Sequence, residues 1–342
     1  MTREEEIERV HGNGTHVVIL GAGASLASAF RNPEKNGKSL PLMNNVVQVL
    51  DLVDITATLP VEIRQYENNF EKLYSELSIN EDFKKQRISI ENRVYEYFSE
   101  LELPDEPTIY DYLILSLRHQ KDVIATFNWD PFLYQAYVRN GEFAKPPGIL
   151  FLHGCVALGY DEEDGRSGPV NWYSKKTGNQ FKPVEILFPV DQKDYNSHPF
   201  IKKQWIALQE RLKVAERVTI FGYSAPETDV EAIELLQDAW GNVEERNMEE
   251  FELIDIRNEH EVKKSWKTFI HSHHYGYCTS FFDSSLANHP RRSVESYRHW
   301  AMPSTPSDAF QEGNNVPQDF KNLKEMWEWF QPLIEAEKKV LK

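Results

Sequence analysis

The feature that most constrains this chain is a set of short, nearly unbroken apolar runs spaced along its 342 residues. They are Thr15–Leu20 (THVVIL), Asp122–Phe127 (DVIATF), Ile149–Leu152 (ILFL), Glu185–Phe188 (EILF), Arg217–Phe221 (RVTIF) and Phe251–Ile256 (FELIDI). A strand with one wet face alternates apolar and polar residues. Continuous runs belong to parallel strands whose two faces are both covered by helices. Helical spacing fills the gaps, as in Asp229 to Trp240, where Val230, Ile233, Leu236 and Trp240 share a face. The expected fold class is therefore α/β, a doubly wound, mostly parallel Rossmann-like sheet with an inserted helical module.

That insertion is expected from about Arg31 to Gln120, a charged and aromatic stretch with few strand signals and helical candidates at Pro60–Leu77, Ile88–Phe98 and Ile109–Leu117. Gly154 to Pro183, punctuated by Gly and Pro, reads as a surface excursion or small hairpin. Residues 1–290 would form the core domain and 291–342 a C-terminal helical extension. In the latter, Phe320, Leu323, Met326, Phe330 and Leu333 make an apolar stripe that packs at home or on a partner. Pro332 should kink or break that helix.

Composition excludes several classes. No run of about 18 apolar residues exists, so no membrane span is expected. The acidic N-terminus (Glu4, Glu5, Glu6) does not look like a leader. Two cysteines, Cys155 and Cys278, are too few for a disulfide framework or a four-cysteine zinc site and suit a reducing, cytoplasmic setting. A net charge of −16 disfavours direct binding to nucleic acid, although a partner subunit could supply such contact.

Four motifs end strands in turn. The first, Gly21-Ala22-Gly23-Ala24-Ser25, leads from a strand into a helix, where bare backbone and a helix N-terminus suit a pyrophosphate; a tight packing turn explains it equally. The third glycine of the dehydrogenase fingerprint is replaced by Leu26, and no acidic ribose contact appears about 20 residues on, which weakens hydride transfer. The second, Thr126-Phe127-Asn128-Trp129-Asp130, puts an amide and a carboxylate at a strand's C-terminal end, for chemistry or as turn and cap residues before Pro131. The third is His153-Gly154, a general base or a structural histidine. The fourth is Gly222-Tyr223-Ser224, followed by Glu227, Thr228 and Asp229, where Gly222 and Ser224 suit a second phosphate or ribose contact and Thr228 or Asp229 a helix cap.

In this order the motifs resemble the sirtuin family, and more closely its prokaryotic sirtuin-like NAD-hydrolase branch, over roughly residues 13 to 285. A looser fifth match is Leu253–Asn258, which contains Asp255. The resemblance implies NAD as substrate, bound by Gly21, Ala22, Gly23, Ser25, Thr126, Gly222, Ser224 and Asp255, with His153, Asn128 and Asp130 catalytic. Sirtuin deacylases carry two Cys pairs for zinc after His-Gly; only Cys155 stands in that stretch here, so no zinc is implied. Their Phe-Gly-Glu element corresponds to Ile186-Leu187-Phe188-Pro189-Val190, and their nicotinamide loop matches Ser28-Ala29-Phe30-Arg31-Asn32 poorly.

The expected activity is thus hydrolysis of NAD to nicotinamide and ADP-ribose. In the branch resembled it often serves anti-phage defence, is regulated, and acts in homo-oligomers or with a partner such as an ATPase or a nucleic-acid-sensing subunit. The alternatives are a protein-lysine deacylase or ADP-ribosyltransferase, and a non-catalytic nucleotide-binding regulator. A cluster of His271, His273, His274 and Cys278 reads as a polar edge rather than a metal site. The acidic run Asp161–Asp164 reads as a solvated loop.

Overall fold

The computed structural model describes residues 12–29, 37–190, 195–196, 198–225, 229–246, 248–271, 275–301 and 315–340, with Glu4 and Ile7 besides. Nine strands occur there. They are β1 (Thr15–Leu20), β2 (Val123–Thr126), β3 (Gly148–Phe151), β4 (Leu158–Asp161) and β5 (Arg166–Pro169), then β6 (Lys182–Pro183), β7 (Ala215–Phe221), β8 (Glu250–Ile254) and β9 (Tyr275–Cys278). Six of them form one sheet in the order β3-β2-β1-β7-β8-β9, every pair parallel. Counted along the chain within that sheet, the order is 3-2-1-4-5-6, that of a doubly wound dinucleotide-binding sheet. Its topological switch point lies between β1 and β7.

The apolar runs work as the two-sided packing requires. In β1, Val18 and Leu20 enter one core while Val17 and Ile19 enter the other. Each such buried side chain stabilises the fold by about 1.5–3 kcal/mol. One face is covered by α1 (Ala22–Ala29) and by the insertion, which comprises α2 (Val46–Val49), α3 (Val53–Thr56), α4 (Val61–Arg64), α5 (Phe70–Ile79), α6 (Lys84–Ser99) and α7 (Ile109–Ser116). On the same side lies α8 (Phe132–Gly141). The opposite face takes α9 (Pro199–Val214), α10 (Val230–Trp240) and α11 (Glu259–Trp266). Helix α12 (Ser285–Asn288) continues the first face, α13 (Ser293–Ala301) follows along the chain with its Ser293 bonded to His16 of β1, and α14 (Leu323–Val340) closes that core.

Two expectations are corrected. Glu185–Phe188 is no strand: its backbone donates only single bonds, Val184 to the Leu158 carbonyl and Leu187 to the His153 carbonyl. The apolar side chains Ile186 and Leu187 are there for burial, and Pro183 and Pro189, which lack N–H donors, bracket the segment. Helix α14 is not broken at Pro332, which lies inside it. The stripe Met326, Phe330, Leu333 is fully buried and anchors the helix on both sides of the missing hydrogen bond, so the chain stays helical there.

The stretch after β3 is a three-stranded antiparallel sheet, β5-β4-β6. The acidic run Asp161–Asp164 serves this excursion internally: Asp164 accepts from Ser174 Oγ at 2.8 Å, and Asp161 from Thr177 and Asn179. Among the described residues, no helix is long and apolar enough to cross a membrane and no three His, Cys, Asp or Glu converge as a metal site. His271 bonds the Gly241 carbonyl at 3.1 Å and Cys278 ends β9; His273 and His274 lie outside the described residues.

Candidate active site

At the switch point the β1 and β7 exits meet backbone to backbone. Gly21 N–H donates to the Phe221 carbonyl and Gly23 N–H to the Gly222 carbonyl, both at 3.0 Å. Gly222 sits at φ +62°, and a Cβ on it would stand 2.5 Å from the Ala24 nitrogen. Only glycine fits there. These bonds also spend the Gly21 and Gly23 N–H groups. The turn therefore offers a ligand the N-terminus of α1 at Ala22, which is exposed, and the helix dipole behind it.

The cleft above this turn is open to solvent and has a cavity volume of about 150 Å³. Of the residues singled out by sequence, Gly21, Ala22, Asn128, Asp130, His153, Gly222 and Ser224 line it together. Gly23, Ser25, Thr126 and Asp255 do not. Gly23 packs on Gly222, and Ser25 is buried directly behind Asn128. Thr126 Oγ1 accepts the Asn128 N–H at 3.0 Å and so shapes the turn after β2. Asp255 is paired with Arg257, Oδ2 to Nη2 at 2.6 Å. Phe30, Arg31, Asn32, Glu227 and Thr228 lie outside the described residues.

Asn128 is oriented without ambiguity. Its Nδ2 reaches the Gly21 carbonyl at 2.7 Å, Ser25 Oγ at 2.8 Å and Tyr110 Oη at 3.2 Å. A carbonyl can only accept, so the nitrogen must face it and Oδ1 is the end left over. Asp130 is buried, and its Oδ1 accepts the Phe132 N–H at 3.1 Å, starting α8. It is thus a helix-start residue as well as a lining one. Burial pushes its carboxyl up to about 6, against the pull of hydrogen bonds from Ser25 and the backbone.

His153 is held by rings. Its imidazole stands edge-on to Phe127 with centroids 4.8 Å apart, and Nε2 lies 3.1 Å from Tyr195 Oη. Phe127 in turn stacks on Tyr223 at 4.2 Å, and the Tyr223 hydroxyl donates to Asp229 Oδ2 at 2.7 Å. Asp229 occupies the N-cap position of α10 but makes no side-chain cap bond. Gly154, at φ +80°, lets the chain after His153 pass the Glu185 carbonyl, 2.2 Å from where a Cβ would be.

Sequence reasoning missed the far wall, which the insertion supplies: Leu40, Pro41, Met43, Glu71 and Phe98, joined by Leu187 and Pro189. It also missed Tyr110, Tyr195 and Tyr223. Tyr110 opens α7, whose start Thr108 and Asp111 fix as a capping box; Asp111 then binds Arg139 Nε at 2.6 Å and Asn140 Nδ2 at 2.7 Å on α8. The helix itself was expected, as Ile109–Leu117, but not that it aims a phenol at Asn128.

No family model matches the chain, and no curated protein sequence matches it. Among solved structures it is similar to one concerning the mechanism and regulation of Sir2 enzymes, at 13% identity over 87% of this chain and 100% of that one, TM-score 0.40. It is also similar to one concerning sirtuin substrate affinity (14% identity, 86% of this chain, 99% of that one, TM-score 0.40). A Sir2 homolog–NAD complex is a third (12% identity, 91% of this chain, 96% of that one, TM-score 0.39). Identities this low leave the chemistry to the residues themselves.

Proposed function

We propose that the chain hydrolyses NAD, with the pyrophosphate seated over the Gly21–Gly222 turn and the nicotinamide–ribose bond toward Asn128, Asp130 and His153. The observation that carries this reading is the convergence, in one cleft at the switch point, of an exposed helix start, a histidine, an oriented amide and a buried carboxylate. The nicotinamide of NAD leaves from a cationic state, so its departure needs no general acid. What is needed is support for an oxocarbenium-like ribose and a placed water.

The lining suits that need. It holds three carboxylates, Glu71, Asp130 and Asp229, and no Lys or Arg among the described residues. A developing positive charge is favoured in such surroundings. Asn128 Oδ1 accepts a hydrogen from the attacking water, and His153 takes a proton from that water or from a ribose hydroxyl. The water oxygen bonds to the ribose carbon as the carbon–nitrogen pair leaves with nicotinamide. Ala22 and Ser224 contact the phosphate and ribose groups.

The test is nicotinamide release from NAD by the purified protein, with His153→Ala and Asn128→Ala alongside and no acylated peptide present. Equal amounts of nicotinamide and free ADP-ribose are expected from wild type, and both variants should fall by about 100-fold or more. Release only when an acylated peptide is added would make the chain a deacylase instead. NAD binding without release by any form would leave a nucleotide-binding regulator.

A further inference from the structure

We infer that Tyr110 is the positioning residue of this site: its buried phenol locks the Asn128 amide so that Oδ1 is presented to the cleft, making the insertion part of the hydrolytic machinery. This rests on the hydrolytic reading of the cleft. The geometry behind it is a closed set of three polar side chains, Tyr110, Ser25 and Asn128, of which Tyr110 and Ser25 are fully buried.

The hydrogens of this set can be counted. Asn128 Nδ2 has two, and one is committed to the Gly21 carbonyl at 2.7 Å. The second is shared between Ser25 Oγ at 2.8 Å and Tyr110 Oη at 3.2 Å. Ser25 and Tyr110 have one hydrogen each and stand 2.6 Å apart. Either hydroxyl can donate to the other, and each keeps lone pairs that face the Asn128 amide.

Whichever of the two donates, both oxygens accept from the amide nitrogen. The amide meets three acceptors on one side, and turning it over would put Oδ1 against all of them. Without the phenol, a terminal amide torsion is broad and roughly two-fold, and a fully buried position admits no water to replace the lost group. Tyr110 touches no substrate in this account. It acts through Asn128, and it does so from α7, the last helix of the insertion.

The experiment is a double-mutant cycle on NAD hydrolysis, Tyr110→Phe with Asn128→Ala. Tyr110→Phe should lower kcat roughly tenfold, with KM for NAD within about twofold, because an amide turned the wrong way costs chemistry rather than binding. In the Asn128→Ala background the same change should have no further effect. Equal losses in both backgrounds would show that the phenol matters only for folding and would overturn the proposal. A second measurement does not depend on activity: in protein labelled with 15N at asparagine side chains, the Asn128 amide protons should exchange slowly with water in wild type and faster in Tyr110→Phe. Unchanged exchange would overturn the role of Tyr110. No nicotinamide release from wild type, with exchange changed as expected, would fault the hydrolytic reading and leave the positioning intact.

Discussion

Toward the N-terminal end of the six-stranded sheet, His16, Arg217, Thr219, Glu250 and Glu252 are buried together; at the C-terminal end, Asp130 and His153 are buried and Asn128 is half-buried. Most of the first group is bonded from within the chain, although both Glu250 carboxylate oxygens are buried without a hydrogen-bond partner. His16 bonds Ser293 Oγ and Thr219 Oγ1, each at 2.7 Å, Thr219 passes its hydrogen to Glu252 at 2.8 Å, and Ser285 adds two more bonds to that carboxylate. Arg217 lies 3.5 Å from Glu252 and 3.8 Å from Glu250. Burial, then the nearby Arg217 and Lys121 charges, hold His16 well below its usual range, hence neutral.

Those contacts reach into the segments that carry α12 and α13. Alongside them, Arg291 Nε pairs with Glu337 Oε2 on α14 at 2.8 Å. The N-terminal end therefore clamps the C-terminal helices, its His16, Thr219 and Glu252 turned onto partners inside the chain. The C-terminal end instead turns an amide, a carboxylate and an imidazole onto a cleft. Buried polarity alone does not mark a functional site; its direction does.

The sharpest way to break this contrast is His153→Ala, which should cost about 100-fold or more in nicotinamide release while NAD still raises the melting temperature of the variant. Arg291→Ala should do the reverse. It takes one of two guanidiniums from the buried Glu337, leaving Arg118 Nε at 3.4 Å, and should cost up to about 3 kcal/mol in denaturant unfolding, with turnover per folded molecule unchanged. A large loss of turnover there would merge the two ends into one functional unit.

Asp130→Asn sharpens the comparison through pH. Burial raises the folded-state carboxyl to about 6 from its ordinary 3.8, so its ionised form is disfavoured in the folded protein. The unfolded chain loses that proton more readily, and the native state therefore weakens as pH rises from about 4 through about 6. The amide removes this penalty. Asp130→Asn should be more stable than wild type by up to about 3 kcal/mol above pH 6, the gain fading toward pH 4, while turnover falls. Thermal melts across pH 4–8 read it directly, and an unstabilised variant at pH 7.5 would remove the claim that the site is strained for function.

Gly222→Ala should cost at least about 1–2 kcal/mol for the left-handed backbone alone and weaken NAD binding, as calorimetric titration would show. Asp255→Asn should do least, changing KM for NAD less than about twofold, since that carboxylate turns to Arg257 rather than the cleft.

The sheet was legible because strands covered on both faces need continuous apolar runs, and five of six such runs lie in the main sheet. The sixth, Glu185–Phe188, has the same composition for a different reason, since burial without a ladder looks alike in sequence. The motifs at the strand exits were legible for a related reason: a glycine or a short polar residue just past a buried run stands out. Tyr110 and the wall from Leu40 to Phe98 were not. They reach the cleft through tertiary packing of segments 15 to 46 residues from the nearest motif, and a tyrosine in an amphipathic helix is by pattern a core residue.

The measurement that tests the central claim most directly is a crystal structure of Asn128→Ala, slowed enough to retain its substrate, with NAD bound. The account predicts the pyrophosphate at Ala22 over the Gly21–Gly222 turn and the nicotinamide–ribose bond beside His153. NAD bound outside this cleft, or with its adenine end against His153, would contradict it.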